Sequence, residues 1–159
     1  MRTGCRLPAI FSLMPERIPI GSDHAGYEMK AMLADELRAL GFDVEDVGSH
    51  SSQPTDYADY AHVVAREIEE GEVKRGVLLC GTGLGMTYAA NRHAGVRAAV
   101  AWSPEIARLA RQHNDANVLV LPSRCVDEGT ARDILRTWLN TPFEGGRHVK
   151  RIHKIELPE

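Results

Sequence analysis

The first residues that suggest chemistry lie in segment 77–86, which reads VLLCGTGLGM. An apolar run ends in Cys80, and a loop follows that consists of Gly81, Thr82, Gly83, Leu84 and Gly85. The backbone amides of such a loop, together with the start of the next helix, can hold an anion or an oxyanion. A dinucleotide fingerprint would need glycine at position 86, and a C-x5-R phosphatase loop would need arginine there, but the chain has Met86. The segment therefore predicts an anion cradle beside a thiol, with an ordinary strand-to-helix turn as the alternative.

Cys80 itself has two interpretations. A cysteine after Val-Leu-Leu is often a small, inert core residue. Here it ends a strand next to amide donors and a helix start, which favours the thiolate form. We favour the reactive interpretation, which leaves a base or an oxidation-sensitive thiol as its role.

Two further polar pairs occupy positions where elements end. Asp23 and His24 directly follow the first predicted strand, where they could cap a helix or face a ligand. His113 and Asn114 close the helical segment SPEIARLARQHND. They could cap that helix, or they could supply a proton donor and an amide that recognises hydroxyl groups. The position of Asp23 and His24 at the carboxyl end of a strand favours the functional role, whereas the residues alone leave both alternatives open for His113 and Asn114.

A basic segment near the carboxyl terminus offers phosphate ligands. Arg147 and Arg151 are one helical turn apart and share a face, and His148 lies beside the first of them. Their forked guanidinium groups suit a phosphate, although a solvated basic helix is the common alternative. Arg124, which follows the fifth predicted strand, is a possible third donor.

Composition narrows the class of protein. The chain has 159 residues and a formal net charge of −3, so it offers no general electrostatic basis for binding nucleic acid or an anionic membrane. Three cysteines without paired spacing predict neither a disulfide framework nor a zinc motif, and a reducing cytoplasm is the simplest compartment. We expect residues 1–13 to be a disordered extension or a mis-assigned start, and residues 14–159 to form a single domain.

Short apolar runs alternate with amphipathic segments along the whole chain. We predict strands at 18–21, 42–47, 77–80, 96–101 and 118–121. We predict helices at 27–40, 57–70, 86–92, from 103 onward, at 127–139 and over 144–156. This alternation predicts a Rossmann-like α/β fold, a three-layer α/β/α sandwich around a five-stranded parallel sheet. In such sheets the ligand binds beyond the carboxyl ends of the strands.

Together these residues comprise a possible base, an amide cradle, a possible acid and an arginine clamp. That combination suits proton transfer on a small phosphorylated carbonyl compound, and it implies no metal and no nucleotide cofactor.

Five motifs in order resemble ribose-5-phosphate isomerase type B, whose wider family includes the galactose-6-phosphate and allose-6-phosphate isomerases. The motifs are GSDHAGYEMK, TDYADYA, CGTGLGMTYAANRHAGVRAAV, ARQHNDANVLVL and FEGGRHVKRI. The resemblance extends from about Ile18 to Ile155. One branch of this family uses a glutamate base that would align with Met86, so this chain resembles the cysteine branch. Pro122 replaces a small residue that is common before Arg124, and residues 1–13 have no counterpart.

The resemblance implies a role for each residue in the interconversion of ribose 5-phosphate and ribulose 5-phosphate. Cys80 would move the proton between C2 and C1 through a cis-enediolate, which loop 81–85 and Thr82 would stabilise. His113 would open the sugar ring, helped by Asp23. The remaining residues would bind substrate: Asn114 and His24 its hydroxyl groups, Tyr57 near the pocket, and Arg147, His148, Arg151 and Arg124 its phosphate end.

The resemblance also implies a homodimer, which could pair into a tetramer, with each site at the interface between two subunits. Two other functions stay open from the sequence. One is isomerisation of allose or galactose 6-phosphate, and the other is a non-catalytic sugar-phosphate sensor on the same fold.

Overall fold

A computed structural model describes residues 14–159, in which five strands alternate with helices. The strands are β1 (Arg17–Ser22), β2 (Asp43–Gly48), β3 (Gly76–Cys80), β4 (Ala98–Val100) and β5 (Val118–Pro122). The helices are α1 (Tyr27–Ala39), α2 (Tyr57–Glu69), α3 (Leu84–Ala90), α4 (Pro104–Asn114), α5 (Glu128–Asn140) and α6 (Arg147–His153), and a 3-10 turn spans His24–Gly26. The extension predicted at residues 1–13 lies outside the described residues.

The strands form one sheet in the order β2-β1-β3-β5-β4, and every neighbouring pair is parallel. Successive side chains point to opposite faces of a strand. On the central strand β3, Val77 and Leu79 therefore pack in the layer of α1, α4 and α5, whereas Leu78 and Cys80 face α2 and α3. The predicted three-layer α/β/α sandwich with a five-stranded parallel sheet is confirmed.

Two helices begin two or three residues away from the predicted position, and glycines explain both differences. Helix α3 begins at Leu84 rather than at 86, directly after Gly83, whose φ of +77° suits a glycine at the turn. Helix α6 begins at Arg147 rather than at 144, because Gly145 and Gly146 have φ of +69° and +56°. The first difference places the start of α3 next to the glycine loop.

Strand β4 is shorter than the predicted span of 96–101 and lies at one edge of the sheet. The side-chain amide of Asn91 pairs with its outer edge: Asn91 Oδ1 accepts from the Ala98 amide at 2.8 Å, and Nδ2 donates to the Ala98 carbonyl at 2.9 Å. A side chain thus occupies backbone groups that an open edge would expose. Within residues 14–159, no helix combines the length and apolar character needed to cross a membrane.

Three charged side chains meet between β1, β2 and α2. Nη1 of Arg17 lies 3.2 Å from a carboxylate oxygen of Glu45, and Nη2 lies 3.8 Å from one of Glu67. Burial, followed by the neighbouring Glu45 carboxylate, raises the pKa of Glu67 from 4.5 to about 7, although Arg17 acts in the opposite direction. The folded protein therefore binds more protons than the unfolded chain between these two values. The stabilising contribution is complete below about pH 4.5 and is lost as the pH rises toward about 7.

We expect Glu67→Gln to remove this part of the pH dependence, because an amide cannot ionise. The pH dependence is measured by urea unfolding at about pH 5 and about pH 8. Between these two pH values, the free energy of unfolding should fall less in the variant than in the wild type. Glu72→Gln is the control, since Glu72 also faces Arg17 but is half exposed. If the free energy of unfolding changed equally with pH in the wild type and in Glu67→Gln, Glu67 would not be the source of this pH dependence.

Candidate functional site

The carboxyl ends of three neighbouring strands bring one set of predicted residues together. Cys80 ends β3, Asp23 follows β1, and Arg124 follows β5. The amide of Asp23 donates to the Leu79 carbonyl at 3.3 Å, and the amide of Arg124 donates to the Gly81 carbonyl at 3.0 Å. The loops after these strands therefore adjoin one another, as the predicted sheet requires.

Local geometry explains why each of the three glycine positions in the loop after β3 lacks a side chain. A Cβ on Gly81 would lie 3.1 Å from Nη1 of Arg124, so the absence of a side chain lets that guanidinium approach the loop. A Cβ on Gly85 would lie 2.5 Å from the ring of Tyr57, so the tyrosine packs directly on the backbone. Gly83 adopts the positive φ at the turn that precedes α3. Tyr57 and Arg124 thus border the loop, and Thr82 and Leu84 are exposed between them.

Cys80 is a free thiol with only 4% of its surface exposed. Its carbonyl accepts from the Ser123 amide at 2.9 Å. The Ser123 hydroxyl lies 3.1 Å from that same carbonyl and 3.0 Å from the carbonyl of Ala25. Ser123 therefore ties the end of β3 to the turn that carries His24. The sequence analysis missed this residue, because a serine before an arginine in a loop gives no distinctive signal.

Of the two roles that the sequence suggested for Asp23 and His24, the structure shows the capping role, which belongs to Asp23. The Asp23 carboxylate caps the 3-10 turn, accepting from the amides of Ala25 at 3.0 Å and Gly26 at 3.2 Å. His24 Nδ1 accepts from the Thr55 amide at 3.2 Å, so the ring proton of the neutral imidazole is assigned to Nε2. His24 can therefore donate one hydrogen bond toward a ligand while the protein fixes its orientation.

A buried lysine supports this edge of the sheet. Lys30 is 1% exposed, and its ammonium group donates to the Asp46 carboxylate and to the Ser49 carbonyl at 2.7 Å. Burial acts to raise the pKa of Asp46, but the hydrogen bonds from Lys30 and Gly48 and the lysine charge outweigh it and hold the pKa below its ordinary value. The signal in the sequence was a lysine on the apolar face of α1, beside Met29.

The other predicted residues lie at the opposite edge of the sheet. Helix α4 begins after the carboxyl end of β4 and runs back antiparallel to the strands, so its last turn, with His113 and Asn114, reaches the amino edge. The carbonyl of Asn114 accepts from Nε of Arg97 at 3.0 Å, and Arg97 directly precedes β4. The side chain of Asn114 is exposed.

Helix α6 extends this second set. The amide of Glu144 donates to the Gln112 carbonyl at 3.1 Å, which holds the segment before α6 against the last turn of α4. The rings of His113 and His148 stack with centroids 4.5 Å apart and an interplanar angle of 16°. Arg147 and Arg151 are exposed, and neither forms an ion pair within residues 14–159.

The predicted site residues therefore fall into two groups. The carboxyl-edge group contains Asp23, His24, Tyr57, Cys80, Gly81, Thr82, Gly83, Leu84, Gly85 and Arg124. The amino-edge group contains His113, Asn114, Arg147, His148 and Arg151. Eleven helical residues of α4 separate the two edges, which is about 16 Å at 1.5 Å per residue. The residue pattern suggested one constellation, but a single chain places its two parts at opposite edges of the sheet.

Each group has half of the chemistry. The carboxyl-edge group offers a thiol, a carboxylate, an imidazole donor and loop amides, which suits removal of a proton next to a carbonyl. The amino-edge group offers two imidazoles and two exposed guanidinium groups, which suits protonation of an oxygen and binding of a phosphate. The donor atoms of His113, Glu144 and His148 lie within 4.8 Å of one another and could approach one metal ion.

Comparison with known proteins identifies the family. A family model described as Ribose/Galactose Isomerase matches residues 18–155, which is most of the chain. The chain belongs to the ribose/galactose isomerase family. The resemblance drawn from the five sequence motifs is confirmed.

Individual members of the ribose/galactose isomerase family agree with this assignment. Ribose-5-phosphate isomerase B of Escherichia coli is 45% identical over 144 residues, covering 91% of this chain and 97% of that protein. A ribose 5-phosphate isomerase from Thermotoga maritima has a structure with a TM-score of 0.86 and 51% identity, covering 88% of this chain and 97% of its own. The enzyme of Mycoplasma genitalium, solved with bound ribulose 5-phosphate, has a TM-score of 0.86 and 42% identity, covering 89% of this chain and 95% of its own.

Proposed function

We propose that this protein is an aldose–ketose isomerase that interconverts ribose 5-phosphate and ribulose 5-phosphate. The observation that carries the proposal is Cys80 at the end of the central strand, beside a loop of backbone amides that Tyr57 and Arg124 border. The relative from Mycoplasma genitalium, whose structure holds ribulose 5-phosphate, supports the choice of a pentose phosphate.

The proton transfer is the work of the carboxyl-edge group. The thiolate of Cys80 removes the proton from C2 of the open-chain aldose and returns it to C1, so that one C–H bond breaks and another forms. The intermediate is a cis-enediolate, whose oxyanion accepts hydrogen bonds from the amides of loop 81–85, with Thr82 assisting. Asp23 moves hydroxyl protons, and His24 donates from Nε2 to a sugar hydroxyl.

The amino-edge group binds the other end of the substrate and opens its ring. His113 protonates the ring oxygen of the furanose, and Asn114 binds a sugar hydroxyl. Arg147 and Arg151 hold the phosphate as a forked pair, with His148 beside them and Arg124 as a further donor from the loop side.

We propose that two chains form a homodimer in which each site takes one group from each subunit. The separation of about 16 Å along α4 supports this, because the reacting carbon and the ring oxygen of one pentose lie much closer than that. A twofold axis pairs each carboxyl-edge group with the amino-edge group of the other subunit, giving two equal sites. Two such dimers could form a tetramer. We place the protein in the cytoplasm, where free thiols such as Cys80 and Cys125 persist.

Turnover of three sugar phosphates tests the proposed substrate. We expect kcat/KM for ribose 5-phosphate to exceed those for allose 6-phosphate and galactose 6-phosphate by at least about tenfold, since one extra carbon in a fitted pocket has about that effect. A preference for either hexose phosphate would overturn the pentose assignment. Thermal stabilisation by ribose 5-phosphate without any turnover would instead indicate a sugar-phosphate sensor.

Replacement of the thiol tests the base. We expect Cys80→Ala to lower kcat by at least about a hundredfold, the usual contribution of a general base, and to abolish exchange of the C2 proton with solvent. Cys125→Ser is the matched control, because Cys125 is also a free cysteine but is exposed. Single-turnover exchange of the C2 proton at the wild-type rate in Cys80→Ala would rule out Cys80 as the base.

A further inference from the structure

A cluster of three metal-ligating side chains lies at the amino edge of the sheet. His113 comes from the last turn of α4, Glu144 from the segment before α6, and His148 from the first turn of α6. The donor atoms of all three lie within 4.8 Å of one another. The hydrogen bond from the Glu144 amide to the carbonyl of Gln112 anchors this segment to α4, so the backbone fixes the grouping.

His148 gives independent support for a ligand at this position. Its side chain is 6% exposed, and within residues 14–159 its Nε2 is buried without a hydrogen-bond partner. A carboxylate oxygen of Glu144 lies 3.3 Å from this nitrogen but does not complete a hydrogen bond. A buried imidazole nitrogen without a partner is unfavourable, and a metal ion would satisfy it.

We infer that His113, Glu144 and His148 form a binding site for Zn²⁺, and that a zinc ion bound there inhibits the enzyme. Two imidazole nitrogens and one carboxylate oxygen are a donor set that binds zinc with a fourth position left for water. Glu144 is half exposed in the single chain, so the cluster is open on one side. Imidazole donors favour zinc over magnesium or calcium, which prefer oxygen ligands.

The three donor atoms must move closer together for the site to close around an ion. Ligand atoms on a tetrahedral zinc ion lie about 3.3 Å apart, given bonds of about 2.0–2.2 Å, so the atoms must approach by up to about 1.5 Å. The rings of His113 and His148 must turn out of their parallel stack so that their lone pairs converge. Arg147 and Arg151, both exposed on the same helix, oppose a cation, and the carboxylate of Glu144 offsets part of that charge.

The inhibition part of this inference rests on the proposed function, whereas the binding part does not. A zinc ion on His113 would occupy the nitrogen that is proposed to protonate the sugar ring oxygen. Turnover would then stop at ring opening. Removal of the ion by a chelator should restore turnover, because no covalent bond of the protein changes.

The binding test uses a full-length variant in which all three cysteines, at positions 5, 80 and 125, are replaced by serine, since thiolates also bind zinc. Titration with ZnCl₂ against a chromophoric chelator should give one site per chain, and CoCl₂ should give the visible absorption of tetrahedral cobalt. Glu144→Gln and His148→Asn in this background should weaken zinc binding by at least about tenfold, the scale on which loss of even a supporting partner acts. His153→Asn, on the same helix but outside the cluster, should bind as the background does.

The activity test uses the wild-type protein with ribose 5-phosphate. Zinc should inhibit turnover, a chelator should reverse the inhibition, and Glu144→Gln should raise the zinc concentration for half inhibition by at least about tenfold. Failure of the cysteine-free protein to bind zinc, or equal binding by Glu144→Gln and His148→Asn, would overturn the site. Zinc binding at these residues in a protein that does not turn over ribose 5-phosphate would keep the site and reject only the proposed function.

Discussion

The direction of α4 is the constraint on which the proposed mechanism depends. This helix connects two parallel strands, so it must run antiparallel to them, and it carries His113 and Asn114 to the edge opposite Cys80. The eleven residues of α4 make this separation too long for side-chain rotation to bring His113 to Cys80. A parallel sheet of this order therefore separates His113 from Cys80 within one chain, and the proposed mechanism requires a second chain to bring them together.

Within the carboxyl-edge group, close backbone packing does most of the positioning. Gly81 and Gly85 let the side chains of Arg124 and Tyr57 lie against the loop, and the Ser123 hydroxyl bridges the neighbouring backbones. Lys30, which is buried, pairs with the partly exposed Asp46 and donates to the Ser49 carbonyl, which holds the segment after β2. The Thr55 amide of that segment donates to His24 and orients its ring.

The sequence predicted the fold because the helices and strands follow local rules. The apolar run ending at Cys80 indicated a central strand, and Ser103 and Pro104 marked the start of a helix. The starts of α3 and α6 were displaced because the backbone of Gly83, Gly145 and Gly146 adopts positive φ, which spacing alone does not reveal. The family resemblance implied a site between two subunits, but the residues alone did not assign them to two edges, because no local pattern records which edge of the sheet a helix end reaches.

The most direct test of a site shared between two chains is complementation between two inactive variants. Chains with Cys80→Ala and chains with His113→Ala, carrying different affinity tags, are co-expressed and the mixed dimer is purified. In a twofold dimer with shared sites, one site has both Cys80 and His113 and the other has neither, so the mixed dimer should show about half of the wild-type activity. Each variant alone should lose at least about a hundredfold. A mixed dimer as inactive as its parents would show that each chain builds its own site and would contradict the account.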